Sequence, residues 1–177
     1  MSQRALGRFA VLTIGLTLAL LVGCAPPPPL DTPGPVELDG ITIADFEGQI
    51  HSRKGKVVLI EVWFLGCAPC VKKFHQFVEL HRELQAEGLV CLSLDIELAE
   101  LKKKAEVLDF LKEKGADTPN FIVKDQGRNV DDWLELRKCR MTPTYLVFDR
   151  RGEQVRPPEP ADKENMTRFL KKLLAEK

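Results

Sequence analysis

At 177 residues, with 26 basic and 26 acidic side chains, the chain carries no charge surplus of either sign. It offers no electrostatic footprint for nucleic acid or for an acidic membrane surface. Removing residues 1–23 takes away two arginines and no acids, so the remainder has a net charge near −2, from 24 basic and 26 acidic residues.

The first segment in chain order is a targeting sequence. Arg4 and Arg8 form a positive start, and Phe9 to Val22 is an uncharged, mostly apolar run of 14 residues. A membrane span needs about 20 such residues, so residues 1–23 read as a signal peptide. Leu21-Val22-Gly23-Cys24 resembles the bacterial lipobox, which implies that Cys24 is lipidated and becomes the first residue of the mature chain. An uncleaved anchor or a soluble exported protein is the plainer alternative. Ala25, after the cysteine, resembles the signal for outer-membrane sorting. Residues 24–36 hold Pro26 to Pro29, Pro33 and Pro35, a composition that favours an extended tether. Residues 37–177, roughly 140 of them, suit one domain with one core.

Within that domain, strand and helix patterns alternate, which predicts an α/β fold with a sheet covered on both faces. Ile41 to Ile43 and Gln49 to His51 read as a short β-hairpin around a turn at Glu47-Gly48. Val57 to Phe64 is the longest apolar run of the domain and is expected to be the central strand. Ala68 to about Glu87 has Phe74, Phe77, Val78, His81 and Leu84 on one helical stripe, with Gly88 beyond its end. Leu89 to Leu94 follows as a strand and Leu98 to Lys114 as a second helix. Phe121 to Val123 reads as a strand, Val130 to Lys138 as a helix and Thr144 to Phe148 as a strand. A turn at Arg151-Gly152 leads to a last strand near Val155, and Asp162 to Ala175 closes the chain as a helix.

Chemistry concentrates where the central strand ends. Trp63-Phe64-Leu65-Gly66-Cys67-Ala68-Pro69-Cys70 sets two thiols three residues apart at a helix start. There, unpaired backbone N–H groups and the positive end of the helix dipole stabilise a thiolate, the nucleophile of thiol–disulfide exchange. Cys67 is expected to attack a substrate disulfide and Cys70 to resolve the mixed disulfide. Pro69 restricts the first turn without losing a needed donor. Glu61 lies six residues before Cys67 inside the apolar strand. Burial there raises a carboxyl pKa and suits it to carry a thiol's proton. Pro143 enters a strand, which favours the strand's first position or a cis bond.

These features in this order resemble the thioredoxin fold, and more closely its extracytoplasmic TlpA- and ResA-like branch, over nearly the whole domain. The carrying residues are Gly55 to Trp63, Cys67-Ala68-Pro69-Cys70 and Thr142-Pro143-Thr144-Tyr145. The resemblance implies a central mixed sheet flanked by helices, with an N-terminal β-hairpin and a central helical insertion around residues 98–114. It implies that Glu61 is the buried acid, that Cys67 and Cys70 form the redox disulfide, and that Pro143 is cis. Thr142, Pro143 and Trp63 would meet substrate. No cofactor or metal is implied. The partners would be disulfide-bearing extracytoplasmic proteins such as apocytochromes c, a membrane thiol electron donor, and the membrane through the lipid. The place would be the cell envelope. Gly66 and Phe64-Leu65 depart from the pattern, where a large residue usually precedes the first cysteine.

Other readings use the same residues. Cys67 and Cys70 with His75 or His81 would hold a soft metal such as Cu(I) for delivery. A disulfide oxidant or isomerase would use the same pair in the opposite direction. A peroxidase of this fold would carry Thr or Ser at position 64, where Phe64 stands. A purely structural Cys67–Cys70 bond would close a tiny loop and stabilise little. Cys91, in a strand, reads as a small core hydrophobe; Cys139 reads as structural or as a third redox thiol, and their pairing is open.

Overall fold

The computed structural model describes residues 35–97, 101–125 and 127–176. The leader, the tether up to residue 34 and Cys24 lie outside the described residues. Twelve elements follow in order: β1 (Asp39–Ile41), α1 (Ile43–His51), β2 (Val57–Trp63), α2 (Ala68–Leu84) with a 3-10 turn at Gln85–Glu87, β3 (Leu89–Asp95) and α3 (Leu101–Lys114). Then come β4 (Asn120–Val123), α4 (Arg128–Leu136), β5 (Thr144–Phe148), β6 (Gln154–Val155) and α5 (Lys163–Ala175).

The six strands form one mixed sheet in the order β1-β4-β3-β2-β5-β6. The first four in that order run parallel, and β5 and β6 each run antiparallel to the neighbour before them. Every residue of β2 is buried, because helices cover both faces of the sheet. Leu59, Trp63, Cys91 and Val147 face α2, α3 and α5, where Phe74, Phe77, Phe110 and Leu170 complete one core. Val58, Ile60, Val62 and Leu92 face α1 and α4, where Phe46 and Trp133 complete the other.

The expected N-terminal hairpin is not formed. Residues 43–51 are helix α1, and the short strand before it pairs in parallel with β4. The Ile41-Thr42-Ile43 alternation mimics a strand, but Thr42 is an N-cap whose hydroxyl accepts the Asp45 N–H at 3.1 Å. Ile43, Phe46 and Ile50 then fall on one buried stripe at helical spacing. Trp133 of α4 and Arg137, which caps its C-terminus, donate to the Glu47 carboxylate and lock α1 against α4. The other expected elements form within a few residues of their sequence bounds, and the long insertion is helix α3. Gly88, at φ 101°, ends the turn after α2 as a left-handed cap that a side chain would strain.

Candidate active site

β2 delivers Trp63 to one end of the sheet, and β5 begins at that same end, because Val62 pairs with Thr144. The Cys67–Cys70 pair and the Thr142–Pro143 corner are therefore neighbours by topology, although 75 residues of chain separate Cys67 from Thr142. The Thr142–Pro143 peptide is cis, as the resemblance implied. The Thr144 hydroxyl donates to the Met141 carbonyl across this corner. Met141 itself is 75% exposed, a large apolar side chain left in water beside the site.

Cys67 is the N-cap of α2, and Cys67 and Cys70 are joined in a disulfide. Cys67 Sγ accepts the Cys70 backbone N–H at 3.2 Å, one of the donors a helix start leaves without a backbone partner. On a thiolate that contact would be charge-assisted and would be reinforced by the helix dipole. Cys67 retains 7% exposure and Cys70 none, so of the pair only Cys67 reaches solvent. Ala68 and Pro69 between them are exposed.

Glu61 lies on the face of β2 that carries Leu59 and Trp63, beneath the helix that begins with the cysteines. It is fully buried, and neither carboxylate oxygen has a protein hydrogen-bond partner. Burial holds its carboxyl well above the ordinary carboxylate range. Its neighbours are Tyr145, its register partner on β5, and the Cys91 thiol on β3; burial first, and then the Glu61 charge, push both of these up. A water-facing Glu61 on an edge strand is thus excluded.

Trp63 does not meet substrate. Its indole is fully buried, donates to the Ser93 hydroxyl at 2.8 Å and packs on Phe74 and Phe110 at centroid distances of 4.7 and 5.2 Å. It is a floor under the site rather than a wall, because its strand is covered on both faces. Cys91 and Cys139 are free and belong to opposite faces of the sheet, which rules out their pairing. Burial pushes the Cys139 thiol up to about 11, which keeps it protonated near neutrality.

The histidines of α2 are engaged elsewhere. The exposed His75 ring meets the Lys72 carbonyl at 3.0 Å, and His81 faces Asp117 at 3.8 Å. Among the described residues no group of three or more His, Cys, Asp or Glu side chains is placed to hold a metal ion. One set of residues at the site escaped sequence reasoning. Glu97 reaches back from beyond β3 and accepts the Leu65 N–H at 3.1 Å. No spacing in the chain announces a contact across 32 residues.

A thioredoxin-type sheet with a Cys-x-x-Cys disulfide capping the first helix after its central strand defines a thiol–disulfide oxidoreductase. No family model matches the chain. The thiol-disulfide oxidoreductase ResA of Bacillus thuringiensis subsp. konkukian is 24% identical over 141 residues, covering 77% of this chain and 76% of that protein. The ResA of Halalkalibacterium halodurans is 27% identical over 117 residues, covering 64% of this chain and 61% of that protein. The fold matches the thioredoxin domain of a thiol-disulfide oxidoreductase from Bacteroides vulgatus with a TM-score of 0.58, at 18% identity over 70% of this chain and 83% of that one. It also matches an exposed lipoprotein thioredoxin from Streptococcus pneumoniae with a TM-score of 0.56, at 21% identity over 70% and 90%. The chain is a thiol–disulfide oxidoreductase of thioredoxin fold, similar in sequence to the ResA proteins.

Proposed function

We propose that the chain reduces disulfides of extracytoplasmic proteins, with Cys67 as nucleophile and Cys70 as resolver. The observation that carries this reading is the Cys67 sulfur at the N-cap of α2, met by the Cys70 N–H, on the one residue of the pair that reaches solvent. In the reduced protein the Cys67 thiolate attacks one sulfur of a substrate disulfide. The substrate S–S bond breaks, its other sulfur leaves as a thiolate, and a Cys67–substrate disulfide forms. Cys70 loses its proton and attacks Cys67 Sγ, which frees the second substrate thiolate and closes Cys67–Cys70. Two electrons pass to the substrate, and its two thiolates take up two protons.

Glu61 is the proton carrier in this reading, as a buried carboxyl on the face of β2 under the pair. Thr142 and Pro143 offer backbone for a substrate strand at the open end of β5, and the exposed Met141 adds apolar surface there. Reduction in an oxidising compartment needs a thiol donor, and a membrane thiol transporter is the class that fits. An exposed lipoprotein among the structural neighbours and the leader that stops just before Cys24 support a lipid-tethered protein of the cell envelope. Apocytochromes c are the proposed substrates. No helix among the described residues is long and apolar enough to cross a membrane.

Trapping tests the assignment. Cys70→Ser should accumulate a mixed disulfide through Cys67, visible as added mass, and Cys67→Ser should accumulate none and lose turnover. Full turnover by Cys67→Ser would refute the mechanism. Lipidation is tested by the mass of the mature N-terminus, where diacylation of Cys24 is the expected result and an unmodified Cys24 contradicts the tether.

A further inference from the structure

Three ties hold the loop that leads into Cys67. The Ile96 N–H donates to the Trp63 carbonyl at 3.0 Å, and the Cys67 N–H donates to the Phe64 carbonyl at 3.1 Å. Both join backbone to backbone. The third is the Leu65 N–H to Glu97 Oε2 at 3.1 Å, which depends on a side chain.

Glu97 is itself held from two sides. Lys103 Nζ, on the first turn of α3, meets its Oε1 at 3.2 Å. Its own N–H donates to Asp95 Oδ1 at 2.7 Å. Asp95 is the register partner of Trp63, is fully buried, and its Oδ2 has no protein partner. A carboxylate placed there destabilises the core, so packing gives no reason for it. The loop's apex is exposed beside this cluster: a Cβ on Gly66 would lie 3.7 Å from Glu97 Oε1.

We propose that Glu97 is a positioning residue for the Cys67–Cys70 pair. It holds Leu65 and Gly66 in the shape that seats Cys67 on the α2 N-cap, while Asp95 and Lys103 fix Glu97. The insertion helix α3 is thereby fastened to the redox site rather than added beside it. The effect on chemistry is geometric. The Cys67 sulfur must stay on the Cys70 N–H for its thiolate to be stabilised and its attack angle kept, and displacements of about 1 Å cost rate steeply. The inference rests on Cys67 being the nucleophile.

The test uses the purified, reduced chain with oxidised glutathione as the disulfide probe, and follows the pH dependence of Cys67 alkylation by iodoacetamide. Glu97→Gln removes the charge but keeps an oxygen for the Leu65 N–H, whereas Glu97→Ala removes both. Comparing the two holds charge constant and isolates the hydrogen bond. Glu97→Ala should slow exchange about fivefold relative to Glu97→Gln, the equivalent of one neutral hydrogen bond of about 1 kcal/mol. Its Cys67 alkylation midpoint should lie at higher pH than that of Glu97→Gln. Lys103→Met, a change at a partly exposed head group, should slow exchange about threefold and keeps the test decisive if Glu97→Ala does not fold.

Equal rates and midpoints for Glu97→Ala and Glu97→Gln would overturn the proposal, as would a wild-type rate for Lys103→Met. If the wild-type chain does not exchange through Cys67, the functional reading fails and this inference with it. Normal wild-type exchange with indifferent variants defeats the inference alone.

Discussion

Glu61→Leu should make the domain more stable and the enzyme slower. Leucine is close to glutamate in volume and asks for no hydrogen bond. The wild-type carboxyl is fully buried with both oxygens lacking a protein partner, and leaving a buried polar group unpaired costs about 1–3 kcal/mol. A gain of that size raises Tm by about 3 °C per kcal/mol in a domain of this length. The gain should also grow with pH. Burial holds the Glu61 pKa well above its ordinary 4.5, so the folded state keeps a proton that the unfolded state releases. Stability from this group is fully present below the unfolded pKa and is lost as pH rises toward the folded one. Urea melts across the acid-to-alkaline range, with glutathione exchange measured on the same samples, separate the two effects. Glu61→Leu should flatten part of the wild-type fall in stability and should slow exchange at neutral pH. Glu61→Gln should flatten the same part without the full gain, because it keeps a polar group to satisfy. A Glu61→Leu protein less stable than wild type at alkaline pH, or an unchanged pH slope, would refute the burial argument. An unchanged pH–rate profile would refute Glu61 as proton carrier.

The remaining expectations test other parts of the site. Asp95, raised to about 7 mainly by burial, contributes a loss of stability of the same sign that ends near that pH. Asp95→Asn should remove it, at most about 4 kcal/mol between acid and neutral pH and less after relaxation, as urea melts would read. Trp63→Phe leaves the Ser93 hydroxyl without its donor and opens space against Phe74 and Phe110, so it should destabilise by about 2–3 kcal/mol. Its KM for a protein substrate should stay unchanged, since the ring has no exposed surface; a large KM effect would restore Trp63 to the substrate face. Phe46→Ala should cost about 3–5 kcal/mol in unfolding free energy, because the ring is fully buried between Phe121 and Trp133; a small cost would mean that α1 does not anchor this core.

The pattern of residues announced the site where its signals are local. The segment from β2 through Cys70 is a strand running into a capped helix, and each step shows in consecutive residues: an apolar run, two thiols and a proline in the first helical turn. The α2 stripe of Phe74, Phe77, Val78 and Leu84 is equally local, and all four residues are buried. Burial of Glu61 followed from its six apolar or aromatic strand neighbours. The failures came where a short pattern supports two structures or where the partner is distant. Ile41-Thr42-Ile43 alternates like a strand, and only the Thr42 cap and the packing of Phe46 against Phe121 and Trp133 decide for helix. The resemblance alone implied Trp63 on the substrate face. The covering helices and the Ser93 hydroxyl place it inside. Glu97 acts on Leu65 through tertiary structure alone, after β3 pairs beside β2.

A redox titration of the purified chain in glutathione and dithiothreitol buffers, with thiols trapped and counted by mass, tests the reductase reading most directly. A single two-electron couple at Cys67–Cys70 with a midpoint near or below about −270 mV is the expected result. A midpoint between about −120 and −180 mV would contradict it and make the protein an oxidant or isomerase.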